Sequence, residues 1–234
     1  SETAQQSAAA LAVNVGHFDD PNDRQGLAHY LEHMLFLGTE KYPKVGEFQS
    51  YISQHGGTNN AWTGTEHTCF FFDVTPNAFE NALDRFSQFF TAPLFNEEAL
   101  DKERQAVDSE YKLKLNDDSR RLYQVNKEVI NPDHPFSKFS VGNLDTLGDR
   151  DGKSIRDEIV EFHHSQYSAD LMTLTLFGPQ SLDAQQAWVE AMFANIPNHH
   201  LRGKSIDVPI STKESTGILV QVEPIKEFRK LILT

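Results

Sequence analysis

The chain has 234 residues, of which 21 are Lys or Arg and 34 are Asp or Glu, giving a formal charge of −13. So acidic a chain lacks the basic footprint that nucleic-acid binding requires, and its 38% hydrophobic and 11% aromatic content argues for a packed core over disorder. No apolar run approaches the ~18 residues of a membrane span, no Lys or Arg precedes Arg24 to form a signal-peptide n-region, and Cys69, the single cysteine, excludes an intrachain disulfide.

A short polar lead, Ser1 to Ser7, runs abruptly into a strand expected over about 8–18, which the turn cluster Asp19-Asp20-Pro21-Asn22-Asp23 ends. A helix is predicted over 24–37, stopped by Gly38, and a second over 44–55, ending at Gly56-Gly57. Strands follow near 59–63 and 67–75. The helix expected at 76–91 repeats Phe79, Leu83, Phe86 and Phe90 on one face. The longest helical stretch runs from Glu97 to Leu115, and Asn116-Asp117-Asp118 recaps a further helix through Val129. A loop rich in Pro, Gly and Ser occupies 131–152. Later come a helix at 154–167, a strand at 170–177, a helix at 181–195 capped by Ser181, a polar linker at 197–216, and strands near 217–223 and 228–234. The uneven order of strands and helices makes the class α+β.

The chemistry concentrates in His29-Tyr30-Leu31-Glu32-His33 on the first predicted helix. At about 100° per residue, His33 falls roughly 40° to one side of His29 and Glu32 roughly 60° to the other. Leu27, Leu31, Met34 and Leu35 take the opposite side, so the helix can bury one face and present two imidazoles and a carboxylate on the other. Two His at i and i+4 suit a tetrahedral zinc, and the adjacent Glu suits a general base, in the inverted order of the commoner zinc-protease motif. A catalytic zinc needs a third protein ligand. Glu110 is the candidate, sharing a helix face with Glu103 and the small residues Ala106 and Val107, since seven residues fall only about 20° short of two turns. From Glu110, zinc could be ligated; from Glu103, a ligating imidazole could be held by a hydrogen bond. Two Glu on a charged helix can equally form a solvated face.

Elsewhere the plain readings are preferred. His163 and His164 are adjacent on a helix and face different ways, His199-His200 sits in a polar loop, Phe70 to Phe72 alternate across a buried sheet, and Cys69 serves as a small core residue.

Taken together, Gly26 to Thr39 around the motif, Lys41-Tyr42-Pro43, Gly57 to Ala61, Ala82 to Phe86 with Phe89-Phe90, Ala106 to Glu110, His134 to Phe139 with Gly142-Asn143, and Pro224-Ile225-Lys226 resemble the pitrilysin/insulysin (insulin-degrading enzyme) family of inverted-motif zinc metallopeptidases. The resemblance implies a mostly antiparallel sheet packed against helices, as in the first domain of such enzymes. It implies zinc as cofactor, with His29, His33 and Glu110 as ligands, Glu32 as general base, and Glu103 as the acid that holds a ligating imidazole. Asn60 and Ala61 fall where the family pairs an edge strand with the backbone of a peptide substrate, and a short strand ending at Gly64 has free backbone groups for that purpose.

By the same resemblance, residues 1–205 form the N-terminal zinc-peptidase domain, its first strand expected before Ser1, and 206–234 begin a second domain of the same type. The expected partners are peptide substrates and a C-terminal half that supplies an Arg and a Tyr to the active site. Arg120 departs from the family, standing where its insulysin branch carries a Trp. The compartment stays open between periplasm and cytoplasm. The implied activity is zinc-dependent hydrolysis of peptides and small proteins. The alternatives are a non-catalytic structural or partner-binding member, or a zinc-binding fragment inactive without its other half.

Overall fold

The computed structural model describes residues 1–150, 152–227 and 229–232. The sequence alternates apolar and small residues at Ser7–Val13, and this stretch forms β1 at the centre of a four-stranded sheet. The other strands are β2 (Asn59–Thr63), β3 (Thr68–Val74) and β4 (Met172–Phe177), in the order β2-β3-β1-β4 and antiparallel throughout. Ala9, Leu11 and Val13 of β1 are buried while the residues between them are partly covered, as expected for a sheet with one face on the core. The described residues also form seven α-helices, besides four short 3-10 turns: α1 (Leu27–Leu35), α2 (Glu47–Gln54), α3 (Phe79–Thr91), α4 (Glu97–Lys114), α5 (Asp118–Val129), α6 (Ile155–Gln166) and α7 (Leu182–Phe193). The fold is α+β, as the sequence predicts. Among the described residues no helix is long and apolar enough to cross a membrane.

Phenylalanine dominates the core. The expected face of α3, Phe79, Leu83, Phe86 and Phe90, is buried to within 1%; Phe86 stacks on Phe48 of α2, and Phe90 and Phe86 meet Phe70 and Phe72 of β3 edge to face. Leu27, Leu31, Met34 and Leu35 of α1 are likewise buried. The single core extends from Ala9 to Ile196, with Leu201 packed against it.

The start of α1 decides how its polar face is aimed. The helix begins at Leu27 rather than 24, because Gly26 adopts φ 93°, a left-handed conformation that ends the turn before it. A Cβ on Gly26 would lie 2.3 Å from Cα of Gly142, so only glycine lets the loop at 140–142 approach this closely. Gly26 has no side chain to cap the helix, and Asp20 does so from outside it. Its carboxylate accepts bonds from the amides of Gly26 and Ala28, each at 2.7 Å. Arg24, expected inside the helix, instead lies buried before it and pairs with Glu158 of α6.

Near the C-terminus the sequence reading needs correction. Residues 217–223 form no strand, and Ile218, Leu219 and Val220 are exposed. Where this region is held, its backbone bonds to groups on and just after α5: the carbonyls of Pro209 and Ile210 to Asn131, the carbonyl of Glu223 to Arg121, and the amides of Ile225 and Lys226 to Asp118. No neighbouring strand is there to pair with it among the described residues. Residues 229–232 of the last expected strand are also without regular structure, and 228, 233 and 234 lie outside the described residues.

Replacing Asp20 by Ala leaves two buried amides without an acceptor. Asp20→Ala is expected to lower the unfolding free energy by about 2 kcal/mol in a denaturant titration. An unchanged midpoint would show that α1 does not depend on this cap.

Candidate metal centre

The polar face of α1 opens on a cavity of about 770 Å³. His29, Glu32 and His33 line it from α1, Glu103, Glu110 and Lys114 from α4, Arg120 and Tyr123 from α5, and Asn59 to Gly64 from β2 and the turn that follows it. Helices α1 and α4 are tied together by the buried Tyr30, whose hydroxyl donates to the carbonyl of Leu100 at 2.8 Å. This crossing brings the two carboxylates of α4 over the two imidazoles of α1.

The imidazoles are fixed by their Nδ1 atoms. His29 Nδ1 lies 2.6 Å from the carbonyl oxygen of Val141, and His33 Nδ1 lies 2.6 Å from Oε1 of Glu103. Both partners are acceptors, so both Nδ1 atoms carry the hydrogen and both Nε2 atoms of the neutral rings present lone pairs. Those Nε2 atoms are 3.3 Å apart, and Oε2 of Glu110 lies 3.5 Å from one and 3.7 Å from the other. With both rings neutral, three acceptor atoms thus converge with no donor among them. Among the described residues this is the one group of three His, Cys, Asp or Glu side chains close enough to share a metal.

Electrostatics follows from that convergence. Burial, then the neighbouring His33, pushes His29 down to about 4. Burial also opposes a charge on His33, yet the bond to Glu103 and the surrounding carboxylates outweigh it and raise that imidazole above its usual range. Burial favours the neutral acid at Glu110, but its ion pair with Lys114 and the two imidazoles hold it below the ordinary carboxylate range. The cluster therefore calls for positive charge at its centre. The three separations of 3.3–3.7 Å match the roughly 3.4 Å edge of a tetrahedron with zinc–ligand bonds of about 2.1 Å.

Glu32 sits on the same face, 8% exposed, and burial raises its pKa against the opposing pull of a Thr63 hydroxyl bonded to Oε2 at 2.5 Å. Asn60 and Ala61 lie on β2, one of the two edge strands of the sheet, and line the cavity. All seven site residues singled out in the sequence therefore border one cavity or contact it. Of the small residues expected beside Glu103 and Glu110, Val107 is buried but Ala106 is exposed, because the α4 face turned to α1 is narrower than the spacing suggested.

Sequence reasoning missed the supports. Thr63 holds Glu32, Lys114 holds Glu110, and the main-chain oxygen of Val141 holds His29. A hydroxyl in a strand is a weak signal, and a carbonyl oxygen leaves none. His17 also borders the cavity. It donates from Nδ1 to the carbonyl of Gly64 at 3.0 Å and accepts at Nε2 from the buried Lys127 at 3.3 Å. Burial and Lys127 keep it neutral, with a pKa of about 4. His163 lies inside against Phe95 and Tyr167, and His199 and His200 are exposed, so neither pair takes part.

Comparison with known proteins gives the family of the chain. Residues 1–133 match the family model described as Insulinase (Peptidase family M16), and residues 154–234 match the Peptidase M16 inactive domain. The chain is 43% identical over 231 residues to the A-factor-processing enzyme of Saccharomyces cerevisiae, covering 97% of this chain and 22% of that protein. It is 42% identical over 232 residues to the insulin-degrading enzyme of Homo sapiens, covering 98% and 23%. The crystal structure of pitrilysin superposes with a TM-score of 0.88 at 37% identity, over 92% of this chain and 23% of that one. The chain thus spans about a quarter of the length of these relatives. On the family match and the superposition together, the chain belongs to the insulinase family of peptidases, M16.

Proposed function

We propose that this cavity is the zinc centre of an endopeptidase acting on peptides and small, partly unfolded proteins. The observation that carries the reading is the donor-free convergence of His29 Nε2, His33 Nε2 and Glu110 Oε2 at tetrahedral separations. Those three atoms would hold the ion, leaving one position open for a substrate or water. When bound, zinc supplies a Lewis acid that polarises a peptide carbonyl and acidifies a nearby water.

The rest is the work of the chain. Glu103 keeps His33 in the tautomer whose Nε2 is free, and the Val141 carbonyl does the same for His29. Glu32 takes the proton of the attacking water and returns it to the leaving nitrogen, a role suited to a carboxylate whose pKa burial raises above the ordinary range. The outer edge of β2, at Asn60 and Ala61, pairs with the backbone of an extended peptide and aligns its scissile bond with the cluster. In this reading residues 1–205 are the peptidase domain and 206–234 lead into a second domain of the same type. Further groups come from a C-terminal half that would close over the cavity.

Two outcomes test the assignment. Glu32→Gln in the whole protein should keep its metal and lose turnover of a fluorogenic peptide by about 100-fold or more, and retained turnover would remove Glu32 from the mechanism. Glu103→Gln should weaken zinc affinity by about 10- to 100-fold in a competition titration against a chromophoric chelator. Unchanged affinity would mean that the His33–Glu103 bond does not organise the site.

A further inference from the structure

Thr63 is the last residue of β2, and its side chain turns under the strand toward α1. Its hydroxyl oxygen lies 2.5 Å from Oε2 of Glu32. The proton in that contact can be traced. Thr68, opposite Thr63 in the β2–β3 register, lies 3.4 Å from it but donates its own hydroxyl hydrogen to the carbonyl of Val15 at 2.8 Å. Glu32, as a carboxylate, can only accept, so the hydrogen of Thr63 goes to Oε2. Among the described residues nothing bonds to Oε1 of Glu32, which is left as the oxygen available to the cavity.

Thr63 does not depend on Glu32 for its own place. The turn that follows it is clamped from the other side: the amide and Nδ1 of His17 both donate to the Gly64 carbonyl at 3.0 Å, and the amide of Phe18 donates to the Thr65 carbonyl at 2.9 Å. A Cβ on Gly16 would stand 2.4 Å from that Thr65 oxygen, so the approach requires glycine. Lys127, buried in α5, in turn bonds Nε2 of His17 and the carbonyl of Lys138. The hydroxyl is thus held by a rigid frame made of the sheet, the segment at 16–18 and α5, and it imposes its position on the carboxylate.

We propose that Thr63 is the positioning residue for Glu32, fixing which carboxylate oxygen faces the substrate and tying the base to the strand that receives the peptide. The inference rests on the peptidase reading above and deepens it. Because Asn60 and Ala61 precede Thr63 on the same strand, a peptide paired along β2 stiffens the element that carries the hydroxyl. Base alignment and backbone recognition then come from one five-residue strand.

The test compares Thr63→Val, which keeps the shape and removes the hydroxyl, with Thr63→Ser, which keeps the hydroxyl. In zinc-loaded whole protein, Thr63→Val should lower kcat about 10- to 100-fold with KM little changed, and Thr63→Ser should recover most of that loss. A second readout needs no turnover. The Thr63 hydroxyl proton, shielded in its bond to the carboxylate, should give a resolved proton resonance in this chain that disappears in Glu32→Ala. Full kcat in Thr63→Val, equal damage in the Val and Ser variants, or absence of that resonance would overturn the inference. If Glu32→Gln itself keeps turnover, the peptidase assignment of Glu32 fails first and this proposal fails with it. If Glu32→Gln is inactive while Thr63→Val is not, only the positioning role fails.

Discussion

Three acceptor atoms face one another across less than 4 Å, and no hydrogen lies between them unless an imidazole is protonated. This is the constraint around which the structure is arranged. Lone pairs brought together in a partly buried site repel, and the molecule would relax them apart if nothing opposed it. What opposes it is a set of bonds made by the far side of each group. Val141 and Glu103 hold the two rings by Nδ1, and Lys114 holds the second oxygen of Glu110. Each ring is set with its Nε2 inward, an arrangement that a positive charge at the centre, whether a proton or a metal ion, stabilises.

The wider fold reads as support for those bonds. The Val141 carbonyl reaches His29 because Gly26 and Gly142 let two backbones touch, and Gly26 in turn starts α1 at the right residue. Asp20 caps that start from a distance, and Tyr30 fixes α1 to α4. The phenylalanine core under α1, α2 and α3 gives the helix a face from which it cannot rotate. On the opposite wall, the buried Lys127 spends its charge on His17 and a carbonyl, steadying the end of β2. These contacts narrow the freedom of the side chains that face the cavity.

Much of this was legible in the sequence. The i, i+3 and i+4 spacing of His29, Glu32 and His33 against Leu27, Leu31, Met34 and Leu35 fixed both faces of α1, because helical periodicity is a local property. The seven-residue interval between Glu103 and Glu110 likewise placed both on one side of α4, and the Phe spacing of α3 named its buried face. What was not legible depends on distant parts of the chain. The late start of α1 follows from the contact of Gly26 with Gly142, more than one hundred residues away. Arg24 looks like a helical surface residue until Glu158 appears beside it. The segment 217–223 has strand-like composition, but a strand needs a neighbour, and composition does not say whether one is present.

The comparisons and the geometry meet on a single question, whether the three convergent atoms hold a metal. The most direct measurement is the zinc content of the purified chain by native mass spectrometry, alongside a variant with His29, His33 and Glu110 all replaced by Ala. The account predicts one zinc per folded chain and none in the variant. A folded chain that stays metal-free in excess zinc, or a variant that binds as much as the parent, would contradict it.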